Sequence, residues 1–228
     1  MAGNSSPRGI ETWLASPQAA DRLDPTRLVG RDREEWATLH TTRRRRDWAS
    51  SRALLSAATV ASDQSSSLSH SHAYSALALA PRAVAVGVDV EWLAPREFLG
   101  MASVAYCAAE CSLLASLDDP QDLCATFYEL WTLKEAFAKA LQLPLVDALK
   151  RCRFVDARLD RRADVPTTRH WRATVFAPRP QLRLAVALIA DAPEQLVAPI
   201  GTFEWPMPRP YDWIVIRSLV GGGMQHAC

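Results

Sequence analysis

Residues 127–140 read FYELWTLKEAFAKA, and their apolar side chains recur at helical spacing. At about 100° of turn per residue, this spacing predicts an amphipathic helix with one apolar stripe. Lys134 falls in the middle of that stripe, while Glu135 and Lys139 flank it one turn apart. A lysine on a buried face needs an anionic partner or a route to water. The helix therefore predicts a core-facing surface with a polar site along one edge.

A second acidic segment lies upstream, in AVAVGVDVE at residues 83–91. As a strand, it places its valines on one face and Asp89 and Glu91 on the other. Two carboxylates about 6–7 Å apart repel by roughly 2–3 kcal/mol at an effective dielectric near 20. A hard cation bound between the two carboxylates makes their interaction energy favourable. Oxygen ligands without a His or Cys cluster favour magnesium over zinc. Gly87 leaves room on the same face for a ligand or another backbone. A solvated strand end is the alternative.

Glu135 supplies a third acid, with Lys139 one turn further along the helix. Taken alone, this is a surface pair worth about 0.3 kcal/mol. Lys134 is harder to explain in that way, and we expect it to reach the strand acids from beneath. If Asp89, Glu91 and Glu135 converge, three acids, a cation and two lysines suit a phosphate-bearing ligand.

Two further segments carry polar side chains. In SLSHS, residues 67–71, the hydroxyl of Ser69 and the ring of His70 could together hold an anion, although a surface histidine is the commoner case. Four arginines follow one another at 43–46, and on a helix only one or two of them can serve a given site. A nucleic-acid patch is a weak reading of this run in a chain of net charge +1.

Composition narrows the class of protein. The chain has 228 residues, of which 49% are hydrophobic, and its net charge of +1 gives no global field for nucleic acid or membrane. Five cysteines without a Cys-x-x-Cys pair argue against a disulfide framework and a structural zinc site. The first residues show no signal-peptide pattern, and charged residues or proline break every apolar stretch short of a membrane span. We expect a cytoplasmic protein.

The remaining pattern predicts an α+β protein. An Asp24-Pro25 cap is expected to open the first of four helices, and 62–71 is expected to be a serine-rich loop. Helices are predicted over 25–40, 45–58, 98–117 and 127–140, and strands over 10–15, 73–81, 83–92, 151–159, 170–178 and 182–190.

The same pattern divides the chain into two comparable halves, 1–103 and 104–205. A tail, 206–228, is expected to be poorly ordered apart from a possible strand over 213–220.

The motifs together resemble a known family. VGVDVE at 86–91, followed by FYELWTLKEAFAK and preceded by LSHS, is similar to the 4′-phosphopantetheinyl transferases over roughly residues 25–190. The length suggests the larger, single-chain type associated with surfactin and enterobactin synthases. The resemblance implies a monomeric pseudo-twofold pair of α+β halves, each a small antiparallel sheet packed against helices, with the active site between them. Such enzymes move phosphopantetheine from coenzyme A to a serine of an acyl, peptidyl or aryl carrier protein and release adenosine 3′,5′-bisphosphate.

The resemblance assigns roles to the three acids. Asp89, Glu91 and Glu135 would hold Mg²⁺ against the coenzyme A pyrophosphate, and Glu135 would also be the base for the carrier serine. Lys139 would offset the charge that develops as the phosphoanhydride breaks.

The resemblance also assigns the nucleotide end of coenzyme A. Ser69 and His70 would bind it, with His70 near the 3′-phosphate and Arg46 or Arg52 assisting. Members of the family usually carry a Gly-Lys-Pro segment shortly before the Ser-His pair, and this chain has none. The phosphate-binding set is therefore expected to be thinner or rebuilt from arginines.

One helix start also departs from the family pattern. YCAAE places Cys107 where the family has an N-cap hydroxyl, a change that typically costs about 1 kcal/mol. Glu110, three residues on, is retained.

Two other functions fit parts of the pattern. A magnesium-dependent nuclease or phosphodiesterase would use the same acids and lysines, but it would need a basic track that only 43–46 supplies. A module that binds coenzyme A or a carrier protein without transfer is the second alternative, because the Gly-Lys-Pro segment is missing.

Overall fold

The computed structural model describes residues 9–58, 60–154, 163–206 and 209–222. The α-helices are α1 Gly30–Thr38, α2 Thr42–Ala58, α3 Phe98–Ala105, α4 Ala108–Ala115, α5 Pro120–Leu141 and α6 Leu145–Arg151. The strands are β1 Ile10–Ala15, β2 Gln64–Ser71, β3 Tyr74–Pro81, β4 Ala85–Trp92, β5 Arg153–Phe154, β6 Ala163–Asp164, β7 His170–Ala177, β8 Leu182–Ala190, β9 Ile200–Trp205, β10 Arg209–Pro210 and β11 Ile214–Gly221.

Two main sheets pack with helices in an α+β architecture, as the sequence predicted. One has the strand order β11-β7-β8-β4 and is antiparallel throughout. The other has the order β10-β9-β1-β3-β2, in which only β1 and β9 are parallel. A short pair, β5 and β6, forms a third sheet. The pseudo-twofold relation and the boundary between residues 103 and 104 stay predictions.

Helix α5 is capped by its own sequence at both ends. Asp119 accepts a hydrogen bond from the Gln121 backbone N–H at 2.7 Å, and Pro120 occupies the first turn. Gln142 ends the helix in the left-handed conformation. The predicted apolar stripe is confirmed, because its side chains are buried or partly buried in one core with the four-stranded sheet: Phe127, Leu130, Trp131, Phe137, Ala138 and Leu141.

Strand β4 lies between two cores. Its valines share one face and Asp89 and Glu91 the other, as the alternation predicted. Its valines pack into a core with residues of β1, β3 and β8. Its other face lies directly against α5, and a Cβ added to Gly87 would stand 1.9 Å from the carbonyl oxygen of Ala136 and 2.7 Å from the backbone nitrogen of Ala140. The space at Gly87 is therefore taken by another backbone. This close approach places the acids of β4 beside α5.

The expectation of a serine-rich loop at 62–71 was wrong. Residues Gln64–Ser71 form β2, an edge strand paired with β3. Serine is a poor strand former on its own, but here alternate serine side chains hydrogen-bond to β4. These long-range bonds are not visible as an apolar pattern.

Two predicted helices are each divided. Asp24 caps a single 3-10 turn, Pro25–Arg27, and extended residues separate that turn from α1. The predicted helix over 98–117 is interrupted by extended backbone at Tyr106 and Cys107, where α3 ends and α4 begins.

The C-terminal segment is more ordered than expected. The possible strand is present as β11, which pairs with β7, and β9 and β10 were not predicted. Of the predicted strand over 151–159, Arg151 instead ends α6 and Arg153–Phe154 form β5. Its remainder, 155–159, lies outside the described residues, as do 160–162 and the chain end 223–228. Within the described residues, no helix is both long and apolar enough to cross a bilayer.

Candidate active site

Three carboxylates meet where β4 packs on α5. Asp89, Glu91 and Glu135 each offer an oxygen, and these oxygens lie within 4.8 Å of one another. Asp89 is only 2% exposed, and the other two are partly buried. The convergence expected from the two periodicities is therefore present, and Asp89 is not on a solvated strand end.

A lysine from the next turn of α5 is bonded to this group, which we call the acidic cluster. Lys139 Nζ donates to Asp89 Oδ1 at 2.9 Å and to the Val88 carbonyl oxygen at 2.8 Å. An ammonium has three protons, so one remains for a ligand.

Alternate serines of β2 also bind β4. Ser69 donates to Asp89 Oδ1 at 2.7 Å, and Ser71 donates to Glu91 Oε2 at 2.7 Å. Ser67 accepts from the backbone N–H of Val88 at 3.0 Å. No role was predicted for Ser67 and Ser71 from the sequence, although serine at every second position was a usable signal.

The acidic cluster fits a hard divalent cation. Asp89 Oδ2 is buried and has no hydrogen-bond partner among the described residues. A buried, unpaired carboxylate oxygen is costly, and a cation would satisfy it. A donor set of three carboxylates suits Mg²⁺ rather than a metal that prefers nitrogen or sulfur.

The raised pKa values of two of these acids also favour a bound cation. Burial, followed by the neighbouring charge of Asp89, raises the pKa of Glu135 to about 8, although Lys139 opposes the shift. Burial also raises the pKa of Glu91, despite its hydrogen bond from Ser71. The cluster holds more negative charge than its surroundings stabilise, which is the condition that a bound cation relieves.

A comparison with protein-family models finds a match that includes the acidic cluster. Residues 85–187, which begin at β4 and include all of α5, match the family model described as the 4′-phosphopantetheinyl transferase superfamily. This chain contains a 4′-phosphopantetheinyl transferase superfamily domain. No curated protein matches the chain. Enzymes of this superfamily use coenzyme A and Mg²⁺ and act on carrier proteins, and all three acids of the cluster lie inside the matched segment.

Lys134 does not reach the acidic cluster of the superfamily domain, and that expectation was wrong. Lys134 Nζ pairs with Glu110 at 2.9 Å and donates to the carbonyl oxygens of Leu149 and Cys152. Both charged side chains are 0% exposed. Consecutive helical residues point about 100° apart, so Lys134 faces α4 and α6 while Glu135 faces β4.

Glu110 completes this buried network. Its two oxygens accept hydrogen bonds from the backbone N–H groups of Cys107 and Phe154 at 3.0 and 2.7 Å. The retained Glu110 therefore caps the backbone N–H of Cys107 at the start of α4, although Cys107 replaces the N-cap hydroxyl.

The residues expected at the nucleotide end are spread over α2 and β2. His70 is exposed and lies on the face of β2 opposite Ser69. Arg46 approaches Asp21 at 4.0 Å. Arg52 pairs with Glu35 at 3.0 Å. Within this structure both arginines face acids of their own chain, and their role in phosphate binding stays a prediction.

A hairpin turn beside the cluster carries a histidine for which no role was predicted from the sequence. His72 and Ala73 connect β2 to β3, both with positive φ, at 52° and 64°. Asp47 of α2 accepts a hydrogen bond from the Ala73 backbone N–H and holds this turn. His72 Nδ1 lies 3.2 Å from Ser71 Oγ.

Charged side chains of both signs lie near that histidine. Burial, followed by the charge of Arg43, lowers the pKa of His72; the charge of Asp47 opposes the shift, and Arg96 contributes in the same direction as Arg43. Arg96 lies a few residues beyond Glu91 and also lowers the pKa of Glu91, against the larger effect of burial. Arg43 and Arg96 therefore act electrostatically on the hairpin next to the cluster.

Proposed function

We propose that this chain transfers the 4′-phosphopantetheine group from coenzyme A to a serine of an apo acyl, peptidyl or aryl carrier protein. The reaction would require Mg²⁺ and release adenosine 3′,5′-bisphosphate. The observation that carries the proposal is the meeting of Asp89, Glu91 and Glu135, with Lys139 bonded to Asp89, inside a matched superfamily domain. We also propose the larger, monomeric type, with halves 1–103 and 104–205 and a segment 206–228 after them.

The acidic cluster would hold the cation. Asp89 Oδ2 is free of hydrogen bonds within the described residues, so Asp89 would be one ligand, with Glu91 and Glu135 beside it. When bound, Mg²⁺ would offset the negative charge of the pyrophosphate oxygens and orient them.

Glu135 would act as the base, directly or through a water. It would take the proton of the carrier serine as the serine oxygen bonds to the phosphorus that bears pantetheine. The bond from that phosphorus to the bridging oxygen would break, and adenosine 3′,5′-bisphosphate would leave with the bridging oxygen. A general base placed in this way contributes about 10²–10⁴-fold to the rate.

Lys139 would stabilise the leaving phosphate. Its ammonium is held by Asp89 and the Val88 carbonyl, and its third proton is available for an oxygen that becomes more negative as the bond breaks. The two bonds fix the ammonium before the substrate arrives, so little reorganisation is needed.

The nucleotide end would lie toward α2 and the β2–β3 hairpin. His70, with Arg46 or Arg52, is the proposed contact for the nucleotide and its 3′-phosphate. Ser69, whose hydroxyl donates to Asp89, would contribute from the opposite face of β2. Arg52 would first have to release Glu35 and Asp32, which lie 3.0 and 3.3 Å from its guanidinium, a modest cost for partly exposed pairs.

A mass measurement tests the proposal. The protein is incubated with coenzyme A, Mg²⁺ and several apo carrier proteins, and each carrier is expected to gain the mass of one phosphopantetheine. The gain should vanish with EDTA, and in Glu135→Gln it should appear at least about 100-fold more slowly. Coenzyme A binding without any gain would instead support a binding module, and DNA cleavage would support the nuclease.

A further inference from the structure

The two carboxylates of β4 share a pattern of hydrogen bonding. Asp89 Oδ1 accepts hydrogen bonds from Ser69 and Lys139, whereas Oδ2 has no partner among the described residues. Glu91 Oε2 accepts a hydrogen bond from Ser71, and within the described part of the chain Oε1 accepts none. In each side chain, one carboxylate oxygen accepts a hydrogen bond from the protein, and the other has no partner among the described residues.

The Ser71 hydroxyl lies among three polar groups. The backbone N–H of Trp92 donates to Ser71 Oγ at 3.3 Å, and His72 Nδ1 lies 3.2 Å from the same oxygen. An ionised carboxylate can only accept, so the Ser71 hydroxyl donates to Glu91. Ser71 is buried, and this hydrogen bond links edge strands of two different sheets. A buried hydrogen bond to a charged carboxylate is stronger than one between neutral groups, so Ser71 holds Glu91 in one orientation.

We infer that Ser71 is a positioning residue that presents Glu91 to the cation through a single oxygen, and thereby favours Mg²⁺ over Ca²⁺. This inference rests on the proposed Mg²⁺ site. Mg²⁺ requires compact octahedral coordination and keeps several waters, whereas Ca²⁺ accepts more oxygens and often takes both from one carboxylate. A carboxylate that has one oxygen bound to a serine suits the first ion better than the second. Ser69, with Lys139, acts on Asp89 in the same way.

The test compares the two ions directly. Mg²⁺ and Ca²⁺ are each titrated calorimetrically into the full metal-free chain, without coenzyme A or carrier. In Ser71→Ala, the Mg²⁺ affinity is expected to fall about tenfold, as is typical when a group that orients a metal ligand is lost. Both oxygens of Glu91 become free in this variant, so the Ca²⁺ affinity should hold or rise. The ratio of the two affinities should therefore fall about tenfold or more.

Matched variants separate this effect from general damage. Ser66→Ala changes an exposed serine on the opposite face of the same strand and should leave both affinities unchanged. Ser69→Ala should shift the ratio in the same direction but less, because Lys139 still holds Asp89 Oδ1.

The outcomes distinguish the inference from the proposed function. If the wild-type protein binds Mg²⁺ and Ser71→Ala keeps the wild-type ratio, or loses both ions equally, the inference is overturned and the proposed site stands. If the wild-type protein binds no Mg²⁺, both the proposed Mg²⁺ site and the inference that rests on it are overturned. If circular dichroism shows that Ser71→Ala is unfolded, Ser69→Ala carries the test, and an unchanged ratio in that variant overturns the inference.

Discussion

Glu135 and Asp89 approach each other within 4.8 Å, oxygen to oxygen, although one lies on a helix and the other on a strand. Gly87 makes this possible, because without a Cβ the strand can rest on the backbone of α5 at Ala136. In the metal-free protein the carboxylates of Asp89 and Glu135 repel each other at this distance. The first two predictions follow from this repulsion.

Glu135→Gln should lower the rate of transfer by at least about 100-fold, because the variant lacks both the proposed base and one metal ligand. The same change removes repulsion, so the metal-free variant should unfold at a temperature equal to or above that of the wild type. Rates come from the carrier mass assay and unfolding from thermal melts in EDTA. Glu34→Gln, at an exposed acid of α1, is the matched control and should alter neither. A fully active Glu135→Gln would remove Glu135 from the chemistry.

Stability should depend on pH with a definite sign. The pKa of Glu135 is raised from 4.5 to about 8 in the folded chain, so the folded state binds more protons than the unfolded state between these values. The free energy of unfolding of the metal-free protein should therefore fall as the pH rises from about 4.5 to 8. Mg²⁺ should reverse the trend, because it binds the ionised form.

Denaturant titrations at several pH values, with EDTA or with Mg²⁺, measure this trend. Glu135→Gln should show a smaller fall than the wild type over the same pH range. A wild-type protein whose metal-free stability rises steadily toward pH 8 would contradict the electrostatic account of the cluster.

Lys139→Met should lower the maximal rate of transfer by roughly 100-fold, a typical loss when one donor to a developing charge is removed. The affinity for coenzyme A should change less, because Lys139 is proposed to act mainly as the bond breaks. Steady-state kinetics at saturating Mg²⁺ separate the two effects. A variant that loses coenzyme A affinity and keeps its maximal rate would assign Lys139 to ground-state binding instead.

Much of this site was open to prediction from sequence. The two-residue period of the strand places Asp89 and Glu91 on one face, and the period of the helix places Glu135 and Lys139 along one edge. The strand acids and Glu135 therefore meet once the strand packs against the helix. Both periodicities are local properties of the chain, which is why they could be read without a structure.

Other features depend on partners distant in sequence. Lys134 sits on an apolar stripe, and nothing in the local pattern identifies Glu110, on another helix, as its partner. Strand β2 is stabilised by serine bonds to β4, so its own sequence resembles a loop. Strand β9 joins β1 from the far end of the chain, a pairing that no local pattern encodes.

Lys134→Met should destabilise the fold without weakening Mg²⁺ binding. The change leaves Glu110 buried without its cation, which typically costs about 3–5 kcal/mol. Adding Glu110→Gln removes the uncompensated charge and should recover part of the loss. Chemical denaturation measures stability, and calorimetry measures Mg²⁺ affinity below the unfolding transition. A folded Lys134→Met that loses Mg²⁺ binding would show that the lysine serves the acidic cluster after all.

Gly87→Ala should destabilise the protein by about 3 kcal/mol, because its methyl group would overlap the Ala136 carbonyl oxygen and force β4 away from α5. Gly9→Ala is the matched control, since a Cβ there meets no atom within 4 Å. Denaturant midpoints of the two variants give the comparison. Equal stabilities would mean that β4 and α5 are not in the close contact described.

Direct location of the cation tests the central claim. Crystals grown with coenzyme A and Mn²⁺ in place of Mg²⁺ would be measured for the anomalous signal of the metal. The account predicts one Mn²⁺ peak bonded to oxygens of Asp89, Glu91 and Glu135 and to the pyrophosphate of coenzyme A. Coenzyme A bound with no metal at these three carboxylates, or with the metal held elsewhere, would contradict it.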